Sequence, residues 1–137
     1  MNYVLDACAL ISLLNFEEGW ERVQALFDRA NSGEIRLYMS AVNFIEVFYE
    51  YIRVDGLEEA SAILAPISET PLIIIDRIPC AVSQEAARLK AIYKRISIAD
   101  VIGLATAKDM SAAFVTSDHH EMDAIDANED IQFLWTR

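Results

Sequence analysis

Four acidic residues stand where chemistry is possible: Asp6, Glu46, Asp100 and Asp118. Asp6 directly follows the strand-like triplet Tyr3-Val4-Leu5, and Asp118 closes the run Phe114-Val115-Thr116-Ser117. Asp100 is the only charge between Ile96 and Ala107, in a stretch apolar enough for a buried helix, where a lone carboxylate is costly without a partner or a metal. Glu46 lies at the edge of an apolar helical face, three residues before Tyr49 and four after Val42, from where it can point inward. Carboxylates brought to one place repel each other unless divalent cations occupy the space between them. Mg²⁺ and Mn²⁺ prefer such hard oxygen ligands and keep several waters. A water held this way can become a nucleophile, and a pair of ions can stabilise the attacking and leaving oxygens of a phosphodiester.

Taken singly, each acid has a plainer reading. Ser97-Ile98-Ala99-Asp100 fits a capping box, with Asp100 bonded back to the backbone at a helix start. Asp6 and Asp118 can each cap the helix that follows, and Glu46 can be solvated at the edge of its stripe. Asp76 also ends a strand-like run, so position alone does not select the pair Asp6 and Asp118. Only the fold separates these readings.

The elements that must position the acids alternate in type. Short apolar runs predict strands at residues 3–5, 35–39, 72–75, 112–116 and 131–135. The run at 72–75 is continuous, as for a strand buried on both faces. Helical spacing covers 9–14, 17–30, 40–54, 57–68 (bent or ended near Pro66), 80–94 and 98–108. In the helix after Ser40, the residues Ile45, Phe48, Tyr49 and Ile52 form one apolar stripe. Strands separated by helices predict right-handed crossovers, hence an α/β domain over residues 1–137 with a parallel sheet covered on both faces. Ligands bind such sheets at the carboxyl ends of the strands, near the point where strand order reverses.

Composition narrows the possibilities. The chain has 137 residues, 54% of them hydrophobic, with four Gly and three Pro, which excludes a disordered or collagen-like protein. Cys8 and Cys80 cannot build a disulfide framework or a four-cysteine zinc site, and their apolar neighbours predict buried free thiols in a reducing cytosol. No run approaches the ~18 apolar residues of a membrane span, and no basic segment opens the chain, so the expectation is a soluble, cytoplasmic protein without membrane contact. Twenty-two acidic against eleven basic residues give a formal charge of −11. Such a surface repels nucleic acid, so phosphodiester chemistry needs metal cations to invert the local sign, whereas a basic partner protein is attracted. Arg88, Lys90, Lys94 and Arg95 form either a solvated helix face or a track for an RNA backbone leading to Asp100. His119 and His120 are adjacent, point about 100° apart on a helix, and read as exposed helix-start residues, with an RNA phosphate on His120 as the functional alternative. The neighbourhood of Phe48 and Tyr51 is a candidate partner groove or homodimer face.

At this level the chain resembles the PIN domain family, and within it the bacterial VapC-type toxins. The likeness rests on Val4-Leu5-Asp6 with Ala9-Leu10-Ile11, on Ser40-Ala41-Val42-Asn43-Phe44-Ile45-Glu46, on Ile96-Ser97-Ile98-Ala99-Asp100-Val101-Ile102 with Ala105-Thr106-Ala107, and on Val115-Thr116-Ser117-Asp118. It implies a three-layer α/β/α domain with a central, mainly parallel five-stranded sheet. It also implies a Mg²⁺- or Mn²⁺-dependent endoribonuclease, an RNA substrate, a cognate antitoxin and a homodimer. By that likeness Asp6, Glu46, Asp100 and Asp118 are the metal-binding and catalytic acids. Two departures bear on activity. The family usually has Thr, Ser or Asn after its first Asp, where this chain has Ala7 and Cys8. Many members carry a second Asp or Asn shortly after the fourth acid, where this chain has His119 and His120, with Asp123 one turn further on as a substitute. Those departures keep open a catalytically degenerate PIN-like module that binds RNA or protein. Phosphotransfer domains fit poorly. Haloacid-dehalogenase-like phosphatases need Asp-x-Asp where this chain has Asp6-Ala7-Cys8, and the acidic pair of receiver domains is absent.

Overall fold

A computed structural model describes all residues from Met1 to Arg137. Its five strands are β1 (Asn2–Leu5), β2 (Arg36–Ser40), β3 (Leu72–Ile75), β4 (Ala113–Thr116) and β5 (Gln132–Trp135). The helices are α1 (Ala7–Asn15), α2 (Trp20–Asn31), α3 (Ala41–Asp55), α4 (Leu57–Leu64), α5 (Cys80–Ile92), α6 (Ile98–Asp109) and α7 (His119–Asn128). Pro66 ends the regular hydrogen bonding after α4, and Ala65–Glu69 continues as a 3-10 helix. All strand pairs are parallel, because every connection carries at least one helix, and the order across the sheet is β3-β2-β1-β4-β5.

Alternation along the strands builds the three layers. Tyr3, Leu5, Leu37, Met39, Ala113 and Val115 face one side and pack against α1, α2, α3 and α4. Val4 and Phe114 face the other and pack against α5, α6 and α7. From β1 the chain builds outward through β2 to β3, then returns to lay β4 on the opposite flank of β1. The β1/β4 boundary is therefore the reversal point, where the helices leave a crevice at the carboxyl ends of the strands.

Three expectations are corrected. The apolar run at β3 is not buried on both faces: β3 is the sheet edge and Ile73 is 48% exposed. An edge strand and a central strand can carry the same short apolar run. On α3 the stripe of Ile45, Phe48, Tyr49 and Ile52 faces the core only through Phe48, which is partly buried against it; Ile45 and Tyr49 are 63% and 57% exposed, and the fully buried residues are Asn43 and Val47. α3 rests on its neighbours through a narrow, partly polar seam, which periodicity of apolar residues cannot locate. Cys8 and Cys80 are exposed rather than buried; each sits in the first turn of a helix, and Cys8 opens onto a cleft.

Candidate active site

The two strand-end aspartates flank the reversal point. Asp6 follows β1 and is 2% exposed; its N–H donates to the Val115 carbonyl (3.0 Å), and its Oδ1 accepts from the Ala9 N–H (2.8 Å), capping α1. Burial pushes its carboxyl up to about 7, helped by the charges of Asp100 and Asp118 and opposed by hydrogen bonds from Thr116 and Ala9. Asp118 follows β4 and caps α7 by accepting from the Glu121 N–H (3.2 Å), while its own N–H donates to the Thr116 hydroxyl (3.0 Å). Thr116, fully buried, thus touches both strand-end acids.

Helices α6 and α3 bring the other two. Ser97 caps α6 by accepting from the Asp100 N–H (3.0 Å). The Asp100 carboxyl is held by Ser97 and Asn43 rather than closing the box onto the backbone. Burial lifts it to about 6, with the Glu46 and Asp118 charges adding to the rise. Glu46 is half-buried on α3, and its carboxyl is raised by burial and by Glu50, against a hydrogen bond from Asn43 Nδ2 to its Oε2 (3.5 Å). Asp6 and Asp118 both act as helix caps, behind a cleft that Glu46 and Asp100 line directly.

One thiol registers the convergence. Cys8, at the mouth of the cleft, is pushed up to about 12, first by the desolvating protein around it and then by Asp6, Asp118, Asp100 and Glu46 in turn. The cleft itself has a volume of about 420 Å³ and is lined among others by Ala7, Cys8, Glu46, Arg95, Asp100 and Glu121. Asp76, exposed beyond the edge strand β3, takes no part.

Four further residues belong to this site. Asn43 is fully buried, bonds Glu46 and Asp100, and keeps its Oδ1 unpaired; an Asn inside an apolar helix, three residues before the acid, was the available signal. Gly103 makes room for it, since a Cβ there would meet Asn43 Oδ1 at 2.6 Å and Phe114 Cε1 at 2.9 Å. Thr116 supplies Asp6 with the hydroxyl that Ala7 lacks. Glu121, not Asp123, is the second acid after Asp118 that lines the cleft; Asp123 is exposed and bonded through Oδ1 to His119 Nδ1 at 2.8 Å. Of the basic run, Arg88 is paired with Glu85 and Glu129, and Lys90 donates to the Lys94 and Ile96 carbonyls, so no continuous track exists. Arg95 alone of the four lines the cleft. Both histidines are exposed at the start of α7, as expected.

The acids stand close enough to raise one another's pKa, yet no three or more His, Cys, Asp or Glu side chains are arranged as they stand to hold a metal ion. An open set of carboxylate oxygens suits Mg²⁺ or Mn²⁺, which bind through one or two carboxylates and retain waters, and does not suit a four-coordinate zinc. No helix is long and apolar enough to cross a membrane.

The family model of the PIN domain matches residues 3–128. No curated protein sequence matches the chain. Among solved structures, VapBC-1 from nontypeable Haemophilus influenzae is similar with a TM-score of 0.74 at 19% identity, covering 99% of this chain and 98% of that one. A toxin-antitoxin complex from Klebsiella pneumoniae gives 0.69 at 16% identity over 98% of each chain. VapC20 of Mycobacterium tuberculosis, a sarcin-ricin loop cleaving toxin, gives 0.68 at 14% identity over 89% of this chain and 94% of that one.

Proposed function

This chain belongs to the PIN domain family, and from that premise we propose that it is a Mg²⁺- or Mn²⁺-dependent endoribonuclease, the toxin of a toxin–antitoxin pair, acting as one unit over residues 1–137. What carries the reading is that buried polar residues link the acids in pairs across separate elements: Thr116 touches Asp6 and Asp118, Asn43 touches Glu46 and Asp100, and the latter two line one cleft. The structural neighbours that are a toxin-antitoxin complex and a sarcin-ricin loop cleaving toxin support the partner and the substrate.

A bound divalent ion supplies charge neutralisation, an acidified water and compensation of the charge that builds on the phosphodiester. Asp6 and Asp100 would be its principal ligands. Their raised pKa values mean that, without the ion, each carboxyl retains a proton more readily than an ordinary aspartate. Asp118 would complete the set, and Glu46 would hold a second ion or orient a water. Thr116 fixes Asp6 relative to Asp118, and Asn43 fixes Glu46 relative to Asp100. Arg95 is the cation of this cleft that can meet an incoming phosphate. Thr116 and Glu121 stand in for the hydroxyl and the acid that the sequence lacks at their usual places, which supports an active enzyme over a degenerate module.

The test is cleavage of total bacterial RNA by the purified protein, with Mg²⁺, with Mn²⁺ and with a chelator. Cleavage that needs the ion and disappears in Asp100→Asn is the expected result; full activity of that variant, or none in the native protein, defeats the reading. A basic antitoxin co-expressed with the chain should silence it, in keeping with its charge of −11. The apolar patch of Ile45, Tyr49 and Ile52 on α3 offers a homodimer or antitoxin contact, to be read from solution mass with and without that partner.

A further inference from the structure

His119 is held more firmly than an exposed helix-start residue needs to be. Its ring stacks on Trp135, with centroids 3.9 Å apart and planes 11° from parallel, and Trp135 is in turn stacked on Phe133. Its Nδ1 meets Asp123 Oδ1 and its Nε2 meets the Arg137 carbonyl, both at 2.8 Å. The backing is itself anchored: Trp135 Nε1 donates to Asp126 (3.0 Å) and the Trp135 carbonyl accepts from Arg22 (2.8 Å). With one face on Trp135 and both nitrogens engaged, the 49% of the side chain left exposed is chiefly the opposite face of the ring.

We infer that this outer face of His119 seats one unpaired nucleobase of the RNA beside the cleaved phosphate; the inference rests on the nuclease reading above. The position follows from chain order, because His119 directly succeeds Asp118 at the carboxyl edge of the sheet and reaches over β5. The chemistry follows from how single strands are recognised: splayed bases stack on Phe, Tyr, Trp or His, and a plate already fixed in orientation loses little freedom on binding. The charge balance gives the reason such a seat is needed. Of the few basic residues, Arg29, Arg53, Arg88 and Lys108 are already paired with carboxylates, so phosphate contacts are scarce and base stacking supplies affinity that does not depend on cations. His120, also exposed, lacks this backing.

The experiment compares binding of two dye-labelled probes by anisotropy, with Ca²⁺ in place of Mg²⁺: octaadenylate RNA and a ribose-phosphate octamer without bases. The native protein is expected to bind octaadenylate about tenfold more tightly than the abasic octamer. His119→Ala should bring that ratio near one without changing the abasic octamer, and His119→Phe, which keeps a ring on Trp135, should restore it. If His119→Ala fails to fold, His119→Leu against His119→Phe carries the same contrast. A native protein that does not distinguish the probes, or an alanine or leucine variant that still does, overturns the seat. Mg²⁺-dependent cleavage by the native protein is scored separately: cleavage together with equal binding of the two probes sinks only the seat, and absent cleavage sinks the nuclease reading.

Discussion

Two groups of carboxylates in this molecule share residue types and differ in company. Glu85 and Glu129 are tied together by Arg88, with Lys108 on Glu85 at 3.2 Å and the Tyr93 hydroxyl donating to Glu129 at 2.8 Å, and both acids are held below the usual carboxylate range by these donors, Arg88 foremost. Asp6, Glu46 and Asp100 are instead raised, burial first and neighbouring acids next. The first group carries its own cations and clamps α5 to α6 and to the turn before β5. The second has only amide and hydroxyl partners besides the exposed Arg95, and its charge is left for an outside cation to balance. Acid density alone would not have told them apart; the sign of the pKa shift does.

The largest effect should fall on catalysis. Asp100→Asn is expected to lower Mg²⁺-dependent RNA cleavage on the order of 10³-fold, whereas Glu85→Gln stays within about threefold. Single-turnover rates at saturating Mg²⁺ decide it, and equal losses in both variants would erase the distinction between the groups.

Stability against pH sharpens the same contrast. A carboxyl whose folded pKa is raised binds protons more tightly in the folded state, so its contribution is present below the unfolded value and is lost as pH rises through about 7 for Asp6. The metal-free protein should therefore lose stability from about pH 4 to about pH 7 and level off above that. Asp6→Asn should remove the upper part of that slope, leaving the share of Asp100, and stabilise the metal-free protein at pH 8 by about 2–4 kcal/mol. Added Mn²⁺ should raise the unfolding temperature of the native protein but not of Asp6→Asn. A flat native profile would show that Asp6 is not held as described.

Much of this was legible in the chain. The four acids were marked by isolation in apolar surroundings or by standing at strand ends, and alternating strand and helix periods gave the parallel sheet that gathers them. What stayed hidden depended on rotation and partners. The inward side of α3 carries Asn43, Glu46 and Val47, with Phe48 partly buried beside them, while Ile45, Tyr49 and Ile52 are exposed, so hydrophobic periodicity placed the buried side wrongly. β3 reads as a central strand because a four-residue apolar run does not record how many neighbours it has. Thr116 and Glu121 are ordinary in sequence and matter only for what they touch.

Asn43 gives the next effect in size. Asn43→Ala removes the amide between Glu46 and Asp100 and should cost about 10–100-fold in Mn²⁺ affinity, read by calorimetry, with a matching fall in kcat and an unchanged KM for RNA. Gly103→Ala should produce part of the same loss, since its Cβ displaces the Asn43 carbonyl oxygen or the Phe114 ring. Unaltered Mn²⁺ binding in Asn43→Ala would make the residue a packing element only.

The smallest effect belongs to the clamp, and its pH dependence should run the opposite way. Glu85 and Glu129 have lowered folded pKa values, so what they contribute is present above the unfolded value and fades as pH falls through the folded one. Arg88 is 42% exposed, and solvent screening limits the loss in Arg88→Ala to about 1 kcal/mol near neutral pH. That loss should shrink below about pH 4, where the unfolded glutamates are protonated too. RNA cleavage and Mn²⁺ affinity should be unchanged, because Arg88 faces Glu85 and Glu129 and not the cleft. A loss of cleavage in Arg88→Ala without loss of stability would mean that the paired group serves the substrate after all, and that a lowered carboxylate pKa does not mark an acid reserved for structure.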